Sequence, residues 1–181
     1  MKTESTVKYV LRLALTLLAI TAVVAAALAG VNSITAPAIA ELNAQKTQEA
    51  IELVLPGGGE EVEFPETALV SKVYSSETGY AVQVTPGGFD NTITMMVGVG
   101  TEGKVLGISV IKHTETAGLG AVAAAGTPAG EAFRGGFVGK SGGVSVTKDG
   151  GQVEAITGAT ITSRAICAGV NAALKCVEGL G

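Results

Sequence analysis

The chain changes its hydrophobic rhythm several times, and each change marks an element. From Leu13 to Val31 apolar residues run almost unbroken, and no charged residue occurs between Leu13 and Ala40. Nineteen such residues, rising about 1.5 Å each as a helix, suffice for the roughly 30 Å core of a bilayer. A helix packed on one side of a globular domain would show a polar face, which this run lacks. A cleaved signal peptide is the competing reading, with Ala27-Leu28-Ala29 as its small-residue motif. The anchor is preferred because a signal h-region takes only about 7–15 residues. Asn32 to Pro37 then leaves the membrane, and Ala38 to Leu55 is predicted as a separate stem helix. There Ile39, Leu42, Ala50, Ile51, Val54 and Leu55 share space with Glu41, Lys46, Gln48, Glu49 and Glu52, ahead of the stop Pro56-Gly57-Gly58-Gly59.

Beyond Gly59 the rhythm shortens to that of strands. Ala68–Tyr74, Tyr80–Thr85, Thr92–Val99 and Val105–Ile111 are β-rich and separated by turn residues, and Glu102-Gly103 predicts a hairpin between the last two. From His113 to Gly143 the texture becomes Gly- and Ala-rich. Ala121–Gly130 reads as either a helix or a loop, and Phe133 and Phe137 are expected to return to the core. A connection of this length is mobile or shaped around a ligand, and composition does not choose between them. Val144–Thr147 and Gln152–Ile156 predict a second hairpin around Asp149-Gly150-Gly151. The tail, Arg164 to Gly179, has Ile166, Val170, Ala173, Leu174 and Val177 on one helical face. The class is therefore α+β: one N-terminal transmembrane helix, then a compact antiparallel sheet with flanking helices. The expected boundaries are an N-terminal segment 1–12, an anchor 13–33, a stem and linker 34–59 and a sheet domain 60–181.

Charge orients this arrangement and removes some functions. Lys2, Lys8 and Arg12 against Glu4 leave the first twelve residues at +2, whereas Glu41, Glu49, Glu52, Glu60, Glu61 and Glu63 against Lys46 make the exit acidic. By the positive-inside rule residues 1–12 are cytoplasmic and residues 60–181 lie on the outer side. A net charge of −4 gives no basic footprint for nucleic acid. Cys167 and Cys176, about 13 Å apart along one helix, cannot pair with each other. With a single histidine besides, no metal site is proposed.

Two stretches offer phosphate chemistry. Arg134-Gly135-Gly136-Phe137-Val138-Gly139-Lys140-Ser141 imitates a nucleotide-binding loop, but Arg134 replaces its first glycine and turn-and-strand residues follow where a helix is needed. The better candidate is Glu154-Ala155-Ile156-Thr157-Gly158-Ala159-Thr160-Ile161-Thr162-Ser163, which leads from a short apolar segment into the last helix. A helix N-terminus offers unpaired N–H groups and a positive dipole end to an anion. Taken alone, the hydroxyls of Thr157, Thr160, Thr162 and Ser163 there also read as an ordinary helix cap.

Three features together carry a resemblance: Ser33-Ile34-Thr35-Ala36-Pro37 at the end of the anchor, His113-Thr114-Glu115-Thr116-Ala117-Gly118-Leu119-Gly120, and Thr157-Gly158-Ala159-Thr160-Ile161-Thr162-Ser163 before a final helix. Over nearly its whole length the chain resembles the FMN-binding domain family, and within it the G subunits of Rnf ion-translocating electron-transport complexes, the ferredoxin:NAD oxidoreductases. The resemblance implies FMN taken from FAD by a flavin transferase and joined through its phosphate to Thr160, the threonine after Gly158-Ala159. Thr162 and Ser163 would donate further hydrogen bonds there. It also implies a flavin wall of His113, Glu115, Thr116, Leu119 and Gly120, although His113 reads equally well as a structural histidine. Glu154 stands where the family pattern has Asp, and Ala117 where it usually has Pro. The implied role is an electron carrier among the other membrane subunits of a complex, without catalysis of its own. The alternatives are the C subunits of sodium-translocating NADH:quinone reductases, for which the chain is short, an anchored extracytoplasmic flavin reductase, and a non-redox module in which Thr160 only caps.

Overall fold

The computed structural model describes residues 3–64 and 68–180. Lys2, part of the basic start, lies outside them. The chain divides into two compact units, Met1–Ala44 and Gln45–Gly181.

The first unit is helical throughout its described residues, as part of α1 (Thr3–Val54). Among those residues α1 is the one helix long and apolar enough to cross a membrane. Its apolar side chains, Leu13, Leu17, Ile20, Val24 and Leu28 among them, are exposed. The expected break between anchor and stem is absent, because α1 continues through Pro37. Proline at 37 removes one N–H and leaves the Ser33 carbonyl without its i+4 donor, a local loss that the helix on either side outweighs.

The second unit is built on an antiparallel meander in the order β1-β2-β3-β4-β5, comprising β1 (Glu60–Val62), β2 (Val70–Ser76), β3 (Gly79–Val84), β4 (Thr94–Gly100) and β5 (Val105–Lys112). Four strands match the sequence expectation to within two residues. The additional strand, β1, is three residues long and begins with two glutamates, so it has no alternation to read. Its pairing with β2 carries a Glu61–Lys72 ion pair at 3.0 Å. The β4–β5 hairpin turns at Gly103, whose φ of +69° suits glycine.

Period-2 alternation gives the central strands two apolar faces. Val82, Val84, Met95, Val97 and Val99 face the main core, which includes Ile166, Val170, Ala173 and Leu174 of α3 (Thr160–Glu178). Ala81 and Met96 face the other way, onto Ala50, Ile51 and Val54 at the end of α1 and Leu55 just after it. That is why β4 is buried almost from end to end. The end of α1 lies so close that a Cβ on Gly98 would collide with the Val54 carbonyl oxygen.

The Gly/Ala-rich connection is ordered into a 3₁₀ helix, Gly120–Ala124, and a two-turn α2 (Pro128–Gly135). Thr127 caps α2 and Pro128 opens it, while Arg134 Nη1 donates to the carbonyls of Ala123 and Ala125 at 2.8 and 2.9 Å. Phe133 and Phe137 meet edge to face in the core, ring centroids 5.3 Å apart, as the sequence leads one to expect. No helix follows Lys140-Ser141, so the imitation phosphate loop has no dipole behind it.

The second predicted hairpin is not formed. Val146 and Val153 make an isolated parallel bridge, and a 3₁₀ helix, Thr147–Asp149, lies between them. Asp149 takes a bidentate pair with Arg164 of α3, Oδ2 accepting from Nε at 2.7 Å and Oδ1 from Nη2 at 2.6 Å, which links this turn to the start of α3.

Candidate functional site

The start of α3 is built by a tight reversal. Gly158 takes φ +75°, and a Cβ there would come within 2.9 Å of Leu119 Cδ2, so glycine suits both the backbone and the contact. Ala159 occupies the N-cap position, and no side chain caps the helix. The hydroxyl residues sit one step later than a cap would, with Thr160 opening the helix itself. The first-turn N–H groups are thus left without the side-chain acceptor that Ser, Thr or Asp at the N-cap would supply.

Two hydroxyls expected to meet a phosphate are committed to the protein instead. Ser163, fully buried, donates to the Ala159 carbonyl at 2.9 Å and accepts from Ile156 N–H at 3.0 Å, which closes the 156–159 loop on the helix. Thr162 donates to Glu115 Oε2 at 2.5 Å. Glu115 Oε1 accepts from Phe89 N–H at 2.8 Å, so one buried carboxylate ties the β3–β4 connection and the segment after β5 to the first turn of α3. The approach needs room, which Gly88 and Gly120 give. A Cβ on Gly88 would collide with Glu115 Oε1, and one on Gly120 with Oε2.

Above this clasp opens a cavity of about 250 Å³. Of the residues expected there, Glu115, Thr116, Leu119, Gly120, Gly158, Ala159, Thr160 and Thr162 line it together. Three do not. Ser163 is buried beneath it, and Thr157 opens on a neighbouring cavity beside Glu154 and Phe133. His113 lines a cavity with Lys46, Glu49 and Ser109. It lies two residues beyond Ile111, which packs on the cluster at the end of α1, and this places it apart from the start of α3.

Three lining residues escape the sequence reading: Phe89, Lys148 and Ile161. Phe89 sits in Pro86-Gly87-Gly88-Phe89-Asp90 and Lys148 in Lys148-Asp149-Gly150-Gly151, both of which read as turn chemistry. Phe89, Leu119 and Ile161 leave apolar surface exposed at the rim. Lys148 Nζ donates to Thr160 Oγ1 at 3.2 Å, so a cation faces the hydroxyl at the uncapped helix end. The neighbouring ion pair holds Asp149 below the usual carboxylate range through its hydrogen bond to Arg164, and raises Arg164 reciprocally. Among the described residues no group of carboxylates, histidines and cysteines is arranged to hold a metal ion.

Residues 88–175 match the FMN-binding domain model, a span that contains every residue lining this cavity. The chain is 33% identical to the G subunit of the Na(+)-translocating ferredoxin:NAD(+) oxidoreductase complex of Acetobacterium woodii, over 96% of this chain and 94% of that protein. The chain belongs to the G-subunit family of ion-translocating oxidoreductase complexes. A Methanosarcina acetivorans member, named as the G subunit of an ion-translocating oxidoreductase complex, is 34% identical over 94% of this chain and 96% of its own length. In Clostridium ljungdahlii the G subunit of a proton-translocating ferredoxin:NAD(+) oxidoreductase complex is 38% identical over 53% of this chain and 51% of its own. G subunits are thus named for complexes that move different ions, so membership of the family does not by itself specify the ion.

Proposed function

We propose that this G-subunit family member is an electron carrier in a membrane-bound complex that couples ferredoxin/NAD electron transfer to ion translocation, with FMN joined through its phosphate to Thr160. The single observation that carries the attachment point is the position of Thr160 Oγ1. It opens an uncapped 19-residue helix, on the wall of the cavity and 3.2 Å from Lys148 Nζ.

The residues present fit a phosphate at this point. First-turn N–H groups and the helix dipole favour an anion, and no protein side chain competes for them. Gly158 and Ala159 keep the approach to Thr160 free of bulk. Leu119, Ile161 and Phe89 offer apolar surface for a planar ring and help exclude water from it. Thr116 is an exposed polar group at the rim, as is Lys148, while Glu115 acts from behind by fixing the first turn of α3. When bound, FMN supplies one-electron exchange between neighbouring redox centres.

The basic residues Lys8 and Arg12 before the apolar run support a cytoplasmic N-terminus, which puts the sheet domain on the outer face of the membrane. On that side a dissociated flavin would be lost, so a covalent tether replaces affinity with permanence. A lone apolar helix does not make an ion path, so translocation belongs to partner subunits of the complex.

The test is co-expression of the full chain with a flavin transferase, followed by denaturing electrophoresis. The native sequence gives a fluorescent band and Thr160→Ala gives none. A dark native band, or fluorescence that survives Thr160→Ala, defeats the proposal.

A further inference from the structure

We infer that Lys148 is the residue of this chain that prepares Thr160 for modification and afterwards neutralises the phosphodiester formed on it. The inference rests on the attachment of FMN at Thr160.

The placement of Lys148 is a built feature of the fold. It belongs to the 3₁₀ helix that replaces the expected hairpin turn, and Gly150, at φ +81°, ends that helix. Consecutive side chains of this element grip α3 at two points. Lys148 Nζ reaches Thr160 Oγ1 at 3.2 Å, and Asp149 takes Arg164 in a bidentate pair. Thr160 and Arg164 are one helical turn apart on the same face, so the Asp149–Arg164 pair fixes the register that brings Lys148 over Thr160. Lys148 is exposed at the rim, yet its ammonium is turned onto Thr160 at the wall of the cavity.

A cation there assists the chemistry of attachment. Thr160 Oγ1 attacks the flavin-side phosphorus of FAD, a new P–O bond forms, and the pyrophosphate P–O bond to the adenylate breaks. AMP leaves with the electron pair, the threonine proton is released to water, and nothing is oxidised or reduced. An ammonium donating to Oγ1 favours the alkoxide character that develops during attack. The product is a phosphodiester with one negative charge, set between the same ammonium and the N-terminal dipole of α3.

The test uses the full chain in detergent, free of flavin, with FAD and a purified flavin transferase, and follows the initial rate of covalent flavin incorporation from pH 6 to 9. Lys148→Met is expected to slow incorporation by about tenfold, the equivalent of one charge-assisted hydrogen bond weakened by solvent. Lys148→Arg is expected to restore most of the rate, and Asp149→Asn to give an intermediate loss. The ³¹P resonance of the attached phosphodiester should move in the Met variant and return in the Arg variant. Lys148 is exposed, so the melting temperature should hold in both Lys148 variants. A Met variant at the native rate with an unmoved resonance overturns the inference, as does an Arg variant as slow as Met. Failure of the native chain to incorporate flavin, or incorporation into Thr160→Ala, overturns the attachment site itself, and this inference with it.

Discussion

Thr162→Val probes the clasp on which the site is mounted. Valine has nearly the volume of threonine, so the change removes the hydroxyl without leaving a cavity. Thr162 is 1% exposed and Glu115 8%, so solvent cannot replace the lost donor without opening the structure. A hydrogen bond to a charged group is worth about 1.5–3 kcal/mol, and the stranded Oε2 places the cost near 2 kcal/mol. For a domain of this size 1 kcal/mol moves the melting temperature by roughly 3–5 °C, so a drop of about 6–10 °C is expected. The chain has no tryptophan, so differential scanning calorimetry of the full chain in detergent is the suitable assay. Glu115→Met supplies the second side of a double-mutant cycle, because a side chain of similar length with no carboxylate leaves both Phe89 N–H and Thr162 Oγ1 without the acceptor they share. The double variant should therefore lose clearly less than the sum of the singles. A Thr162→Val melting temperature within about 1 °C of native, or strict additivity in the cycle, would refute the clasp.

Gly158→Ala should lower stability by about 1–2 kcal/mol through the cost of a left-handed residue, and should also reduce flavin incorporation, since Leu119 must move away from the new Cβ; calorimetry and gel fluorescence check both, and unchanged values contradict the geometry. Burial pushes the Cys167 thiol from 9.0 up to about 11, so iodoacetamide at pH 8 should label it only after unfolding, as read by mass spectrometry. Between pH 9 and 11 the unfolded chain releases this proton while the folded chain retains it, so stability falls as pH rises through that window. Cys167→Ala should flatten the fall in denaturant titrations at pH 8, 9 and 10.

Legibility in the sequence follows the range of the interactions involved. Period-2 alternation in Tyr80–Thr85 and the hairpin signal at Glu102-Gly103 are local properties, and β3, β4 and β5 appear where they predict. The anchor is legible for the same reason, but its end is not, because Pro37 is a local stop signal overridden by the helix on either side. The Val144–Ile156 hairpin expectation fails because its turn residues form a 3₁₀ helix whose Asp149 pairs with Arg164, fifteen residues away, a contact that no local pattern announces. The cavity shows the same division. The residues of 115–120 and 158–162 share sequence neighbourhoods and can be read together, whereas Phe89 and Lys148 come from other loops brought in by folding. Adjacency groups His113 with Glu115, yet the end of β5 places it in a different cavity.

The hydroxyl cluster at the start of α3 acquires distinct roles only once the fold is known. Four hydroxyls in seven residues look interchangeable as caps or phosphate donors, but burial separates them. Thr162 and Ser163 point inward and spend their protons on Glu115 and Ala159, which makes the first turn rigid. Thr157 falls on the far side of the Gly158 reversal. Thr160 alone among the four both lines the cavity and faces a cation. The alanine at the N-cap completes the division of labour. A serine there would satisfy a first-turn N–H and stabilise the helix by about 1 kcal/mol, while giving an anion at Thr160 one fewer donor. An uncapped helix end, a pinned first turn and a lysine aimed at one hydroxyl favour the same arrangement, an anion held at Thr160.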